Sequence, residues 1–404
     1  MIPTLYLTRN GLLEPLGQSQ VFAYLRGLSQ DHAITLITYE KPEDWADTEA
    51  MDRARAACAG YGIRWLPQRF RPRPRVVAPA LSTMRMVWLL WREVRRGNAR
   101  LIHARSYIPA AAALVVHRLT GVPFVFDMRA LWPEELITAG RLRRGSLLHR
   151  GIVAAERACL RQAAGVVSLT HAAVDYLQEV YASELAGQRV TVIPTCADLD
   201  SFRPGPVSRP APVVHGCIGT VLSGWFRVDW LAAWIAAAAR LDPEARFDIV
   251  TRDDPAHVRS LIDPEGHLAA RLTIAPRRPG EMPDAIRRHD LSVMFFTEGL
   301  SKLGSSPTRM AEVLGSGLPV VANAGVGDVA RIVTENRVGI LVAGPAAGQM
   351  DAAYAALRDL MTDPDLPTRC RATAETVFSL GAGTAAYRTL YRSILAGADP
   401  TCAV

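Results

Sequence analysis

A chain of 404 residues is too long for one compact core and suits two domains of about 200 residues each. Hydrophobic residues make up 49% and charged residues 21%, the balance of a soluble globular enzyme, and no apolar run reaches the roughly 18–20 residues that cross a bilayer. The formal charge of +7 lies in residues 1–200, which hold 25 Arg/Lys against 18 Asp/Glu, and no recognition motif accompanies it, which argues against nucleic acid.

The opening MIPTLYLT has no basic leader region or cleavage site and reads as a buried first strand, placing the protein in the cytoplasm. Its six cysteines are scattered, without CxxC or metal-ligand spacing, so free core thiols are expected. Through the first half, LYLT, AITLITYE, LIHARS, FVFDMR, GVVSLT and VTVIPT read as strands with helical patterns between most of them. That alternation predicts a parallel, doubly wound sheet. The first strand runs into NGLLEPLGQSQ rather than GxGxxG, so the dinucleotide fingerprint is missing. Gly17 opens the first helix and permits close backbone approach to a phosphate or sugar.

Between Arg64 and Arg105 stand eleven Arg and a single acid, Glu93. Here Leu81, Met84, Val87, Trp88, Leu90, Trp91 and Val94 form the apolar face of a helix flanked by Arg92, Arg95 and Arg96. Such a helix suits an anionic membrane surface. A core-facing helix with a solvated basic side fits the same residues equally.

The Pro-rich FRPGPVSRPAPVV, residues 202–214, reads as a linker, after which VHGCIGT, ARFDIVT, RLTIAP, LSVMFF, LPVVAN and GILVAG supply a second set of strands. Two Rossmann-like domains are expected, over residues 1–205 and 213–380, with a cleft between them. Residues 381–404 add a helix expected to return to the first domain.

The densest segment is KLGSSPTRMAEVLGSGLPVV, Lys302–Val321. Ser306 fits the N-cap and Pro307 the first helical position, with Arg309 in the first turn. Free amides and the helix dipole then form an anion site suited to a diphosphate. Glu312 follows before Gly315 and Gly317 end the helix and Leu318–Val321 enters a sheet. Ordinary α/β packing would read similarly.

This segment resembles the nucleotide-sugar site of retaining glycosyltransferases of family 4, where a Glu precedes a Gly-x-Pro-Val-Val strand. VIPTCADLDSFRP, Val192–Pro204, resembles the VIPNGVDxxxFxP signature closing that family's first domain, matching at Pro194, Asp198, Phe202 and Pro204. With the His103 strand end, the Asp127–Glu134 strip and Gly219 in order, the resemblance spans nearly the whole chain. It implies an α/β GT-B architecture, two Rossmann-like doubly wound domains facing across a cleft. The implied activity is retaining transfer of a sugar from a nucleoside diphosphate sugar to an acceptor hydroxyl, with no metal or cofactor.

Carried over residue by residue, Glu312 takes the ribose hydroxyls. Gly304, Ser305, Ser306 and Thr308 hold diphosphate and sugar, Gly219 and Thr220 lie at the strand end, and Pro279 and Gly280 contact the base. Lys302 and Arg309 stand in for the family's missing Arg and Lys as catalytic cations. Lys302 is one of only two lysines beside 44 arginines. On the first domain Asp127 and Arg129 take catalytic positions, and Gly17, His103, Trp132 and Glu134 contact the acceptor. Asp127 and Arg129 also fit a mutual ion pair, and His103 a satisfied structural histidine.

Three departures stand out. The first Glu of the family's Glu-x7-Glu is Gly304, with Glu298 from a longer loop as the alternative. The family's Thr-x-His histidine is absent, and its Arg/Lys pair is replaced. They keep open a non-catalytic sugar-nucleotide-binding subunit, and a nucleotide-sugar epimerase shares the fold. The pathway expected is bacterial polysaccharide or glycolipid synthesis, with a glycan or lipid-linked acceptor and peripheral contact to the inner membrane face through residues 64–105.

Overall fold

The computed structural model describes residues 1–70, 78–205 and 212–398. They fall into two compact units, Met1–Pro194 with Gly383–Val404, and Thr195–Ala382.

Unit 1 is a seven-stranded parallel sheet of β1 (Ile2–Leu7), β2 (His32–Glu40), β3 (Arg64–Arg69), β4 (Leu101–Arg105), β5 (Phe124–Asp127), β6 (Gly165–Ser168) and β7 (Val190–Val192). Its order is β3-β2-β1-β4-β5-β6-β7. The central strands β4, β5 and β6 are buried along their whole length, as a parallel sheet covered on both faces requires. Six of the seven strands were legible in the sequence. The missed strand, β3, is an edge strand reading RWLPQR, with Pro67 inside it and one fully buried residue, so it lacks an apolar run.

Among its helices, α1 (Ala78–Gly97), α2 (Tyr107–Thr120) and α3 (Leu147–Gln162) matter below. The single apolar face expected on α1 is divided. Met86, Leu89, Leu90 and Val94 are buried, whereas Met84, Trp88 and Trp91 are exposed. The side chain of Leu81 and residues 71–77 lie outside the described residues.

Unit 2 holds β8 (Val214–Ile218), β9 (Arg246–Val250), β10 (Leu272–Ala275), β11 (Leu291–Met294), β12 (Val320–Ala322) and β13 (Gly339–Leu341), parallel and ordered β10-β9-β8-β11-β12-β13. Alternate strand residues serve two cores. Ile249, Val293 and Val321 join Trp230, Trp234 and Leu357, while Val250, Met294 and Val320 join Met310, Leu314 and Phe378. Thr195–Gly205 packs on this unit. Leu199 and Phe202 enter the second core, and Arg371 Nη1 donates to the carbonyls of Leu199 (3.0 Å), Phe202 (2.7 Å) and Gly315 (2.9 Å).

The helix of the dense motif is α4 (Thr308–Gly315), capped by Pro307, not Ser306. The Ser306 hydroxyl instead accepts the Thr195 N–H at 3.1 Å, so tertiary contact with the incoming chain replaces the local cap. The last helix, α5 (Leu380–Ala398), carries Tyr387 and Tyr391 into the core of unit 1. The five described cysteines are buried and free, and burial pushes the thiols of Cys58, Cys159, Cys217 and Cys370 up to about 12. No helix among the described residues is long and apolar enough to cross a membrane.

In both sheets the strand order reverses once, between β1 and β4 in unit 1 and between β8 and β11 in unit 2. Loops leave in opposite directions there, opening space at the carboxyl ends of the strands. Gly17 supports the first reversal. A Cβ on it would stand 2.0 Å from the Gly11 carbonyl oxygen and 2.8 Å from Leu12 Cα. Because both are backbone atoms, Gly17→Ala is expected to destabilise unit 1 by about 1–3 kcal/mol, the cost of overpacking, read as a lower urea midpoint.

Candidate functional site

At the unit 2 reversal the loops after β8 and β11 are tied together. Gly219 leaves β8 at φ 119, and its N–H reaches the Val250 carbonyl at 3.0 Å. One Asp253 oxygen accepts the N–H groups of Val221 (2.6 Å) and Leu222 (3.0 Å) and the Thr251 hydroxyl (2.9 Å). The Arg227 N–H bonds Phe295 O at 2.9 Å, and the Thr297 N–H bonds Trp225 O at 3.0 Å. At the end of β12, the buried Asn323 side chain accepts the Phe296 N–H at 2.8 Å and donates to Phe296 O at 3.0 Å. Gly327 donates to Lys302 O at 2.9 Å. The segments after β8, β11 and β12 thus form one shelf.

Lys302 lies on that shelf, 3% exposed, its ammonium 2.7 Å from the centroid of the Trp225 ring. Gly304 is buried beside it, Ser305, Ser306 and Thr308 are half-buried, and Thr220 is exposed at the end of β8. By helix geometry the first amides of α4 have no intrahelical acceptor. Arg309 and Glu312 sit three residues apart on α4, and the guanidinium binds Glu312 Oε2. Arg309 is therefore paired along its own helix here. Glu312 is 8% exposed, and burial raises its pKa despite Arg309. The sign follows: the ionised carboxylate is less welcome in the folded than the unfolded chain, so Glu312 costs stability at neutral pH. Glu298 is exposed, with Asn323 Nδ2 at 3.4 Å. Pro279 and Gly280 are exposed after the edge strand β10, two strands from β8, and a Cβ on Gly280 would meet open space.

In unit 1 the ends of β4 and β5 form a charge cluster. Asp127 and His103 are completely buried. Burial opposes the Asp127 charge, but Arg129, His103 and Arg105 outweigh it and hold the carboxyl at about 2. The ionised carboxylate only accepts, so His103 Nε2 donates to Asp127 Oδ2 at 3.2 Å and Nδ1 accepts the Tyr391 hydroxyl at 2.7 Å. Burial lowers the His103 pKa, and its ring stacks on Tyr6 at 4.2 Å. With both ring nitrogens engaged, His103 has a structural role and cannot also contact an acceptor.

Tyr387 donates to the same Asp127 oxygen at 3.0 Å, while Arg105 and Arg129 stand 3.7 Å away. Asp127 Oδ1, Arg105 Nη1 and Arg129 Nε find no hydrogen-bond partner among the described residues. Arg129 has φ 62, and Ser106, whose N–H binds Asp127 O at 2.7 Å, has φ 79. Each of these two non-glycine residues at positive φ costs about 1–3 kcal/mol, a strain that the surrounding structure must hold.

Trp132 is half-buried beside Tyr107, at 5.5 Å between ring centroids, and Glu134 is buried with Arg144. Gly17, in the first helical turn, packs against the Gly11–Leu12 backbone, and the buried Glu40 carboxylate accepts the Leu12 N–H at 2.8 Å. Sequence reasoning missed Glu40, Trp225, Asp253, Asn323, Tyr387 and Tyr391. Only the tyrosine pair left a signal, the four-residue helical spacing of Tyr387 and Tyr391.

Asp127→Asn would leave the two arginines without their buried counter-charge and is expected to cost about 3–5 kcal/mol, measured by urea denaturation. In the wild type the stability lent by Asp127 is present above about pH 4 and is lost as pH falls through about 2, visible as acid unfolding of unit 1.

The model of Glycosyltransferase Family 4 matches residues 18–201. No curated protein matches the chain by sequence. Sucrose-phosphate synthase from Thermosynechococcus elongatus has a similar fold, with a TM-score of 0.69 at 16% identity, over 98% of this chain and 100% of that one. A glycosyltransferase from Rickettsia africae gives 0.69 at 14% identity, covering 98% of each chain. Anabaena HepE, in complex with UDP and glucose, gives 0.67 at 15% identity, over 97% of this chain and 100% of that one.

Proposed function

We propose that the protein is a retaining glycosyltransferase that moves a sugar from a nucleoside diphosphate sugar to an acceptor hydroxyl, a reading supported by the match of residues 18–201 to the Glycosyltransferase Family 4 model and by the GT-B fold. The observation that carries this reading is Glu312, a nearly buried carboxylate on the helix that follows an amide-rich loop at the reversal of the second sheet. A carboxylate kept there at a cost in stability is suited to two vicinal ribose hydroxyls, which would take over from Arg309 and free that guanidinium for the diphosphate.

The amides of residues 304–308 and the start of α4 face the phosphates, with Lys302 as a fixed positive charge nearby. Gly219 allows the close approach of backbone to donor, Thr220 stands beside it, and Pro279 and Gly280 border the base. As the bond from the anomeric carbon to the diphosphate oxygen breaks, the acceptor oxygen forms its bond on the same face. The acceptor proton passes to the leaving phosphate oxygen. Lys302 and Arg309 stabilise the charge that develops there.

On unit 1, Asp127 acts by holding Arg129, and Gly17, Trp132 and Glu134 border the acceptor. The acceptor class is a glycan or lipid-linked glycan in polysaccharide or glycolipid synthesis, and the exposed residues of α1 contact the inner membrane face. HepE has been crystallised with UDP and with UDP-glucose, which makes uridine nucleotides the first to test. The replacement of the family's first Glu by Gly304 favours the second reading, a sugar-nucleotide-binding subunit without turnover.

Thermal shift with UDP-, GDP-, ADP- and dTDP-sugars tests the donor site. A ligand at 100 times its Kd adds about 2.7 kcal/mol. One nucleotide should raise the Tm of the wild type. Glu312→Gln should melt higher than wild type without ligand and bind that nucleotide about 10- to 100-fold more weakly, the loss of charge-assisted hydrogen bonds. If no nucleotide sugar shifts the wild type, the proposal fails. Lys302→Met, close to isosteric, should lower kcat by about 10²–10³. Binding without turnover by the wild type would select the subunit reading.

A further inference from the structure

Three helices of unit 1 leave an apolar surface that extends well beyond the α1 residues and Trp132 invoked above. On α1, Met84 is 59% and Trp88 53% exposed, and on α2 Leu119 is 65% exposed. Between these helices runs a groove of about 790 Å³, bordered by Met84, Trp88, Trp91, Val115 and Leu119. A second recess of about 330 Å³ opens between α2 and α3, with Tyr107, Phe126, Trp132, Leu148 and Ile152 in its walls. Thr83 borders both. At the start of α3, Leu147 is 85% and Leu148 65% exposed beside the recess. Gly151 stands at its mouth, where a Cβ would meet nothing within 4 Å.

The charges around this face have one sign. Residues 78–162 contain 14 arginines and five acids, and Glu93, Asp127, Glu134 and Glu156 are buried, leaving Glu135 half-buried. Arg92 lies 4.8 Å from the Trp88 ring centroid and Arg95 5.9 Å from that of Trp91. Tryptophan with a cation at its side suits the boundary between headgroups and hydrocarbon. A second copy of the chain would bring the same positive charge against itself, whereas an anionic bilayer complements it.

We propose that this face docks on an anionic membrane and that the recess between α2 and α3 takes the hydrocarbon chain of an anionic lipid. The recess has the volume of a small-ligand site, roughly 300–1,000 Å³, and its walls are aromatic and aliphatic. Trp88 and Trp91 enter the headgroup boundary, the arginines meet lipid phosphates, and Leu147 and Leu148 guide one chain past Gly151 to Trp132. The proposal rests on the membrane contact and the acceptor-side place of Trp132 in the reading above, and because vesicle binding needs neither donor nor turnover, the two fail separately.

Flotation with vesicles of phosphatidylcholine alone, and of phosphatidylcholine and phosphatidylglycerol in equal parts, tests the docking. The full chain should bind the anionic vesicles at least tenfold better, and Trp88→Asp and Leu148→Asp should each reverse most of that gain without lowering the Tm. Chain uptake is read with the same vesicles made from lipids brominated on the acyl chain. Bromine should quench the Trp132 emission, obtained as the difference between wild type and Trp132→Phe. Gly151→Phe should abolish that quenching while vesicle binding persists. Equal binding to both vesicle types, or quenching indifferent to Gly151→Phe, would overturn the proposal. So would a concentration-dependent dimer that Trp88→Asp dissolves, with no vesicle binding by the wild type.

Discussion

A parallel strand can be joined to its neighbour only by a crossover, and a sheet wound both ways from its centre must send two adjacent crossovers in opposite directions. Both sheets of this chain meet that constraint once, between β1 and β4 and between β8 and β11. What stands at those two points follows from it. Gly17 and the Glu40-held turn lie at the first, and the shelf of Gly219, Trp225, Lys302 and Asn323 at the second. The residues come from distant parts of the chain because the crossovers on either side of the reversal leave in opposite directions.

Buried carboxylates are then handled in two ways. Asp127 receives arginines, a histidine and a tyrosine, and its charge is favoured in the folded chain. Glu312 has one arginine on its own helix and remains disfavoured as an ion. Burial raises the pKa of Glu40 as well, although its carboxylate accepts loop amides. In the function proposed above, the difference separates a charge that holds the fold from one kept ready for hydroxyl groups that arrive with a ligand. The left-handed Arg129 and Ser106 belong with the first kind, since the network around Asp127 holds them in place.

Periodicity and composition carried much of the architecture. Twelve of the thirteen strands showed in the sequence as apolar runs, because a sheet covered on both faces demands them. The exception, β3, sits at an edge where Pro67 is tolerated. Local chemistry was less dependable at Ser306, which suited an N-cap until the Thr195 N–H claimed its hydroxyl. At His103 the strand-end position suggested a sugar contact. The last helix, 288 residues away, supplied the Tyr391 hydroxyl that occupies its second nitrogen.

By itself the sequence determined two α/β halves, the helix after the 304–307 loop with Glu312 upon it, and the basic apolar helix before Arg100. These depend on neighbours within one or two turns, or on the repeat of burial along a strand, and both are written in linear order. Only the tertiary structure decided that Asp127 lies under Arg105, Arg129 and Tyr387, and that Lys302 rests on Trp225. It also divided the apolar residues of α1 between core and surface. Each of these is a distance between residues far apart in the chain, set by which crossover lies beside which strand, and periodicity does not encode that.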